Sequence, residues 1–173
     1  MATSNRLYSS PSPGLSPGYV SHFVLDLGGQ VLVTKAYKPL TLSPRKPITI
    51  RNGAIHLARE QRLLVGGQAV CLEGVTVVGP AAAAPKYTTD WANPKGLFQV
   101  TGTGSSLHVD GCTLWGGAHD AVLVADGGGR LEMSGACVVS GHPKKFGCIV
   151  SRARSSLEAV GCTMKDNRRT GKW

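Results

Sequence analysis

Apolar residues recur along this chain in short alternating runs, each broken by one glycine or asparagine. The clearest run is LHVDGCTLWG, from Leu107 to Gly116. Its spacing returns as VCLEGVTVVG from Val70, LEMSGACVVS from Leu131 and LEAVGCTMKD from Leu157. Weaker copies are LDLGGQVLVT from Leu25 and ITIRNGAIHL from Ile48. Aligned on their first residues, the six rows form columns. The first holds Leu25, Ile48, Val70, Leu107, Leu131 and Leu157, and the second Leu27, Ile50, Leu72, Val109, Met133 and Ala159. A third holds Leu32, Ile55, Val77, Leu114, Val138 and Met164. Between the second and third stands a turn column of Gly29, Asn52, Gly74, Gly111, Gly135 and Gly161. A period of two predicts strands with one buried face. A residue that tolerates positive φ predicts a sharp bend between two such strands.

A further strand set lies between the rows: Leu40–Leu42, Leu63–Val65, Leu97–Val100, Ala121–Ala125 and Cys148–Val150. Alternation there points Leu40/Leu42, Leu63/Val65, Phe98/Val100, Val122/Val124 and Cys148/Val150 inward. Three short strands per repeat of roughly 20 to 40 residues predict a solenoid that closes as a triangular prism. The expected architecture is all-β, a right-handed single-stranded parallel β-helix of five to six short coils. Residues 1–22 are Ser/Pro/Gly-rich without periodicity and read as an extended arm lying on the body or on a partner. Residues 23–166 are the solenoid, 80–95 an inserted loop punctuated by Pro80, Pro85 and Pro94, and 167–173 a basic tail.

The opening LDLGGQVLV…PLTL…ITIRNGAI resembles the first coils of the right-handed parallel β-helix, or pectate-lyase-like, superfamily, and the resemblance extends over 23–166. It implies the fold. It is nearly silent on chemistry, because this fold hosts lyases, hydrolases, adhesins and non-catalytic scaffolds. In the family's enzymes, carboxylates on the outer face of the first strand bind Ca²⁺ or act as acid and base. The corresponding outward positions here are expected to be Thr41, Leu64, Gln99, Leu123 and Ile149. None of these is acidic, and none ligates calcium or transfers a proton at neutral pH. The remaining catalytic candidates are His119, Asp120, Lys145 and Arg152, with His142 and Lys144 nearby; they would suit a polysaccharide lyase or hydrolase. Asp26, Glu132 and Glu158 are expected in one outward column of the second strand, and Glu73 and Asp110 in another, with His108 and Arg51 offsetting their charge.

Composition narrows the classes. The chain has 173 residues, 42% of them apolar, enough for one core. No apolar run approaches the roughly 18 residues that span a bilayer, and the first 22 hold no secretory h-region. Five cysteines without a CxxC pair read as reduced core thiols. Cys112 and Cys162 are expected to share an inward column with Gly53, Val75 and Ala136. No metal or other cofactor is expected. The compartment is expected to be intracellular, cytoplasmic or cytoskeletal in type, with organelle import left open.

The formal net charge of +9 calls for an acidic partner. Arg45, Lys46, Arg130, Arg152 and Arg154 each follow a strand of the second set, so they are expected along one corner of the prism; Arg168 and Arg169 crowd the C-terminal end. Two outward apolar stripes are expected, Val78/Trp115/Val139 and Leu64/Leu123/Ile149, with Trp91 in the inserted loop as a further anchor. Leu157 and Met164 are expected to leave the C-terminal end open, for a partner, for a second copy, or for more of a longer chain. These features predict a non-catalytic scaffold that docks into a larger acidic assembly. The alternative is a degenerate or truncated pectate-lyase-like enzyme, or a module that binds acidic polysaccharide. Nucleic acid ranks lower, because no aromatic residues interleave the basic ones.

Overall fold

A computed structural model describes residues 7–8, 22–34, 40–42, 44–58, 62–79, 96–115, 121–140 and 149–165. Its strands, in chain order, are β1 (Leu7–Tyr8), β2 (Phe23–Asp26), β3 (Val31–Val33), β4 (Leu40–Leu42), β5 (Ile48–His56), β6 (Leu63–Val65), β7 (Ala69–Val78) and β8 (Gly96–Thr101). There follow β9 (Ser106–Asp110), β10 (Thr113–Trp115), β11 (Ala121–Asp126), β12 (Arg130–Ser134), β13 (Val138–Ser140), β14 (Ile149–Ser151), β15 (Ser156–Ala159) and β16 (Thr163–Lys165). All are β, with no helix among the described residues.

The strands stack in parallel as a β-solenoid. One wall is a five-stranded sheet, β4-β6-β8-β11-β14. Five stacked strands leave four steps between first and last, so the solenoid has about four turns rather than five to six. The other two walls belong to one 11-stranded sheet folded at the bend column. The lower wall carries β2, β9, β12, β15 and the first halves of β5 and β7. The upper wall carries β3, β10, β13, β16 and the second halves of β5 and β7. All six bend residues take positive φ: Gly29 (77°), Asn52 (58°), Gly74 (58°), Gly111 (58°), Gly135 (65°) and Gly161 (67°).

Inward columns fill the prism. Val70, Leu107 and Leu131 are almost completely buried, as are Leu72, Val109 and Met133, and Leu63 and Phe98 close the third wall. Burying each such side chain contributes about 1.5–3 kcal/mol.

The register departs from expectation in three places. Phe23, not Leu25, pairs with Ile48 and heads the first row, while Leu25 pairs with Ile50. Gly28 and Gly29 both take positive φ, so the first bend is two residues longer and Leu32 still reaches Ile55. In the Leu131 row, Gly135 and Ala136 both turn left-handed (65° and 60°). That extra residue puts Val139 rather than Val138 opposite Leu114 and buries Cys137 where Ala136 was expected. On the five-stranded wall, Leu123 and Ala125, not Val122 and Val124, are in register with Phe98 and Val100, and Ile149 and Ser151 follow them. AVLVA is apolar at both parities, so alternation cannot choose its register.

The arm contributes an antiparallel strand. β1 lies along the outer edge of β2, pairing Leu7 with Leu25 and Tyr8 with Val24. It covers an edge that would otherwise offer unpaired backbone groups. His22 adds a side-chain contact, its Nε2 lying 2.7 Å from the hydroxyl of buried Thr49.

Candidate binding surfaces

The corner after the five-stranded wall is built from Pro44–Pro47, Gly66–Gln68, Gly102–Ser105, Gly127–Gly129 and Arg152–Ser155. Backbone bonds tie successive turns together: Gln68 N–H to Pro44 O (3.3 Å), Gly128 N–H to Ala153 O (3.0 Å) and Ser156 N–H to Gly129 O (3.1 Å). Tight turns need positive φ, and glycine supplies it at Gly67, Gly102, Gly104, Gly127 and Gly128. In the last turn the two glycines are replaced by Ala153 (47°) and Arg154 (64°), which hold a left-handed conformation disfavoured for side-chain-bearing residues.

Four of the five basic candidates lie on this corner, as two groups: Arg45 and Lys46 are exposed at its start, and Arg152 and Arg154 stand at its far end. Arg130, expected with them, falls one residue past the Gly127–Gly129 turn, at the head of β12 on the lower wall. Gly66–Gln68 and Gly102–Ser105 separate them, so the charge is bipolar rather than a continuous stripe. Arg130 ion-pairs with Glu132, and Lys46 Nζ lies 5.8 Å from the Phe23 ring centroid, within cation–π range. Phe23, Pro44, Arg45, Lys46 and Ile48 line a shallow open hollow of about 430 Å³.

The lower wall carries the acids in two columns that differ from the expected ones. Asp26 aligns with Arg51, Glu73, Asp110 and Ser134; the neighbouring column runs Val24, Thr49, Cys71, His108, Glu132 and Glu158. The shift of the first row by two residues is what moves Asp26. Asp26 accepts from the Gly28 N–H (2.9 Å), the Asn52 amide (3.1 Å) and Arg51 Nε (3.0 Å). The Gly28 N–H first, then Asn52 and Arg51, hold its carboxyl below the usual value despite some desolvation.

Farther along this wall, His108 Nδ1 faces Glu132 Oε2 at 3.6 Å and His108 Nε2 faces the Ser134 hydroxyl at 3.3 Å. This arrangement has the residue types of a nucleophilic triad, but the Ser134 hydroxyl donates to Asp110 Oδ1 at 2.9 Å. A nucleophile must pass that proton to the histidine. The group instead ties adjacent strands together. Among the described residues, no cluster of His, Cys, Asp and Glu could hold a metal ion.

Neither apolar stripe survives as expected. Val139 is fully buried, and Trp115, 38% exposed, pairs with Val78 on one side and Ser140 on the other. Leu64 pairs with Gln99, so it is out of register with Leu123 and Ile149, which align with the inward Phe98. Thr41, Leu64 and Gln99 take outward positions on that wall, and none of the three is an acid or a base. His119, Asp120, His142, Lys144, Lys145, Trp91, Arg168 and Arg169 lie outside the described residues, as does Cys148.

The inward thiols form a column of Cys112, Cys137 and Cys162 beneath Val75. The Cys112 N–H donates to Cys137 Sγ, and Cys112 Sγ accepts from the Val75 N–H, both at 3.3 Å. Burial pushes the Cys112 thiol up to about 11; desolvation, with Glu73 alongside, pushes Cys71 up to about 12; Cys162 is also raised, chiefly by burial.

Compared with protein-family models, curated proteins and solved structures, the chain has no match. The β-solenoid therefore rests on its own strand pairing. No helix among the described residues is long and apolar enough to cross a membrane.

Two features escaped the sequence reading. One is the exposed apolar edge Val31–Val33 at the first rung, which looked like core because its pattern matches the buried rows. The other is Ser134, visible only once Asp110 and Ser134 are known to pair.

Proposed function

We propose that the chain is a non-catalytic scaffold whose basic corner docks against an acidic protein surface within a larger assembly. The observation that carries this reading is charge segregation. Five of the chain's acids (Asp26, Glu73, Asp110, Glu132, Glu158) lie on the lower wall, where Arg51 and Arg130 pair with two of them, while Arg45, Lys46, Arg152 and Arg154 lie on the corner beside it. A basic protein with its charge sorted in this way presents an oriented field to an acidic partner. Positive φ at Arg154 adds support, because a strained backbone there is tolerated while displaying a guanidinium. The coil pattern also supports kinship with the pectate-lyase-like superfamily, as a member with no acid at the outward positions Thr41, Leu64 and Gln99.

The test is affinity purification at native salt with wild type and with Arg152→Glu/Arg154→Glu. The reading expects an acidic protein that co-purifies with wild type and is lost from the variant. Equal recovery with both, or turnover of polygalacturonate in the presence of Ca²⁺, would replace the scaffold with the enzyme or glycan-binding alternative.

A further inference from the structure

The turn that carries the first basic pair is bracketed by prolines, Pro44-Arg45-Lys46-Pro47. Each proline fixes its own φ and restricts the residue before it, so the two cations sit in a stiff turn. Hydrogen bonds hold both prolines in place. The Gln68 N–H donates to Pro44 O at 3.3 Å and the Phe23 N–H to Pro47 O at 3.0 Å. Phe23 also pairs with Ile48, which packs against the core. Phe23, Pro44 and Ile48 are the apolar lining of the hollow of about 430 Å³, and Arg45 and Lys46 are its cations. No acid is among its described lining residues. Asp26, on the same strand as Phe23, is already taken up by Gly28, Asn52 and Arg51.

We propose that this hollow seats one aromatic side chain of an acidic partner segment, with a neighbouring carboxylate of that segment on Arg45. The inference rests on reading the chain as a scaffold for an acidic protein and says how that protein is recognised. Apolar lining with cations beside it suits a guest that is apolar at one point and negative next to it. A cationic guest would meet two like charges and no acid. An aromatic guest fits better than an aliphatic one. Phe23 offers a ring to pack against, and a guanidinium stacks on a ring while its edge bonds a carboxylate. Lys46 is engaged within the chain, its Nζ 5.8 Å from the Phe23 ring centroid, so the carboxylate is assigned to Arg45.

The shape of the hollow favours a protein segment over a free small molecule. Sites for small ligands enclose most of the ligand surface, whereas this one is shallow and open. It can cover a single side chain while the chain bearing it runs on across the surface. Rigidity adds to its fitness as an anchor point, because a stiff lining loses little freedom when a guest is seated. An anchored aromatic side chain also explains how a surface of scattered cations would choose among acidic partners. Charge alone steers any of them, and the hollow selects those that present a ring beside an acid.

Fluorescence anisotropy of labelled pentapeptides on the full chain tests the proposal. The probes are Glu-Glu-Trp-Glu-Glu, the same peptide with Ala for Trp, and the same peptide with Lys for every Glu. On wild type, the first should bind at least about fivefold more tightly than the Ala peptide, the gain of one anchored ring. The Lys peptide should not bind. Phe23→Ala, at a position 40% exposed, should erase the difference between the Trp and Ala peptides. Arg45→Glu should weaken both acidic peptides. Trp115→Ala, on the upper wall, should change nothing. Thermal melts check that each variant folds, and the comparison of peptides on wild type needs no variant. Equal binding of the Trp and Ala peptides, or a difference that persists in folded Phe23→Ala, would overturn the hollow as the anchor site. Free 3-phenylpropionate competing as tightly as the Trp peptide would overturn the protein segment as its guest. Equal binding of the two acidic peptides that is lost in Arg152→Glu/Arg154→Glu removes the hollow and leaves the scaffold reading standing. No binding of either acidic peptide removes both.

Discussion

The Ser134 hydroxyl donates to the Asp110 carboxylate at 2.9 Å, one ladder step away, directly beside the bend at Gly135. A Cβ added to Gly135 would fall on that carboxylate and within 2.8 Å of the Gly111 nitrogen. Gly74 and Gly161 have the same positive φ with nothing within 4 Å. The bend column therefore separates conformational strain from collision. Gly74→Ala should cost about 1 kcal/mol, the strain alone. Gly135→Val, adding the clash and a β-branch, should cost about 3 kcal/mol. Gly111→Val should fall between them, with only the Gly135 carbonyl oxygen close, at 3.3 Å. Urea midpoints of the three variants check the order.

The raised thiols make a pH prediction. The folded state keeps Cys112 and Cys71 neutral up to about 11 and about 12, against an ordinary value of 9.0. Between those values the folded state holds more protons than the unfolded one, so stability falls as pH rises. It should be flat from neutrality to about 9 and decline from there toward 12. Cys71→Ala/Cys112→Ala should flatten the decline, measured as denaturation midpoint against pH. In the native state Cys112 should react slowly with thiol reagents, because its thiol is buried and neutral.

What was legible in the sequence was what backbone geometry demands. Each member of the turn column had to tolerate positive φ, so glycine and asparagine marked all six bends. Parity was legible only where polar residues alternate with apolar ones. LHVDG places Leu107 and Val109 inward without ambiguity, whereas AVLVA does not distinguish Leu123 from Val124. Extra residues in a bend, such as Ala136, shift everything after them, which is why Val139 and Cys137 were misplaced by one. The placing of Arg45, Lys46, Arg152 and Arg154 at one corner was legible because they follow strands of one set, whereas Arg130 lies one residue farther on, in β12. The division of the four into two groups depended on the neutral turns between them. The β1 pairing had no signal, since two residues in a Ser/Pro-rich arm carry no periodicity.

Arg154 offers a way to separate stability from binding. It holds φ 64° where the preceding turn uses Gly128 at 85°. Arg154→Gly relieves a left-handed strain of about 1 kcal/mol, offset by the greater freedom of glycine in the unfolded chain. The melting temperature should stay unchanged or rise slightly, while affinity for an acidic partner drops. A fall in melting temperature would mean that the side chain is structural.

The most direct measurement is titration of a labelled poly-glutamate peptide into the full chain, followed by anisotropy over a salt series. Wild type should bind, with affinity falling as salt rises. Arg152→Glu/Arg154→Glu should bind at least about tenfold more weakly, a loss of about 1.4 kcal/mol, with a shallower salt dependence and an unchanged melt. Equal binding by wild type and the variant at every salt concentration would contradict the basic corner as the docking surface.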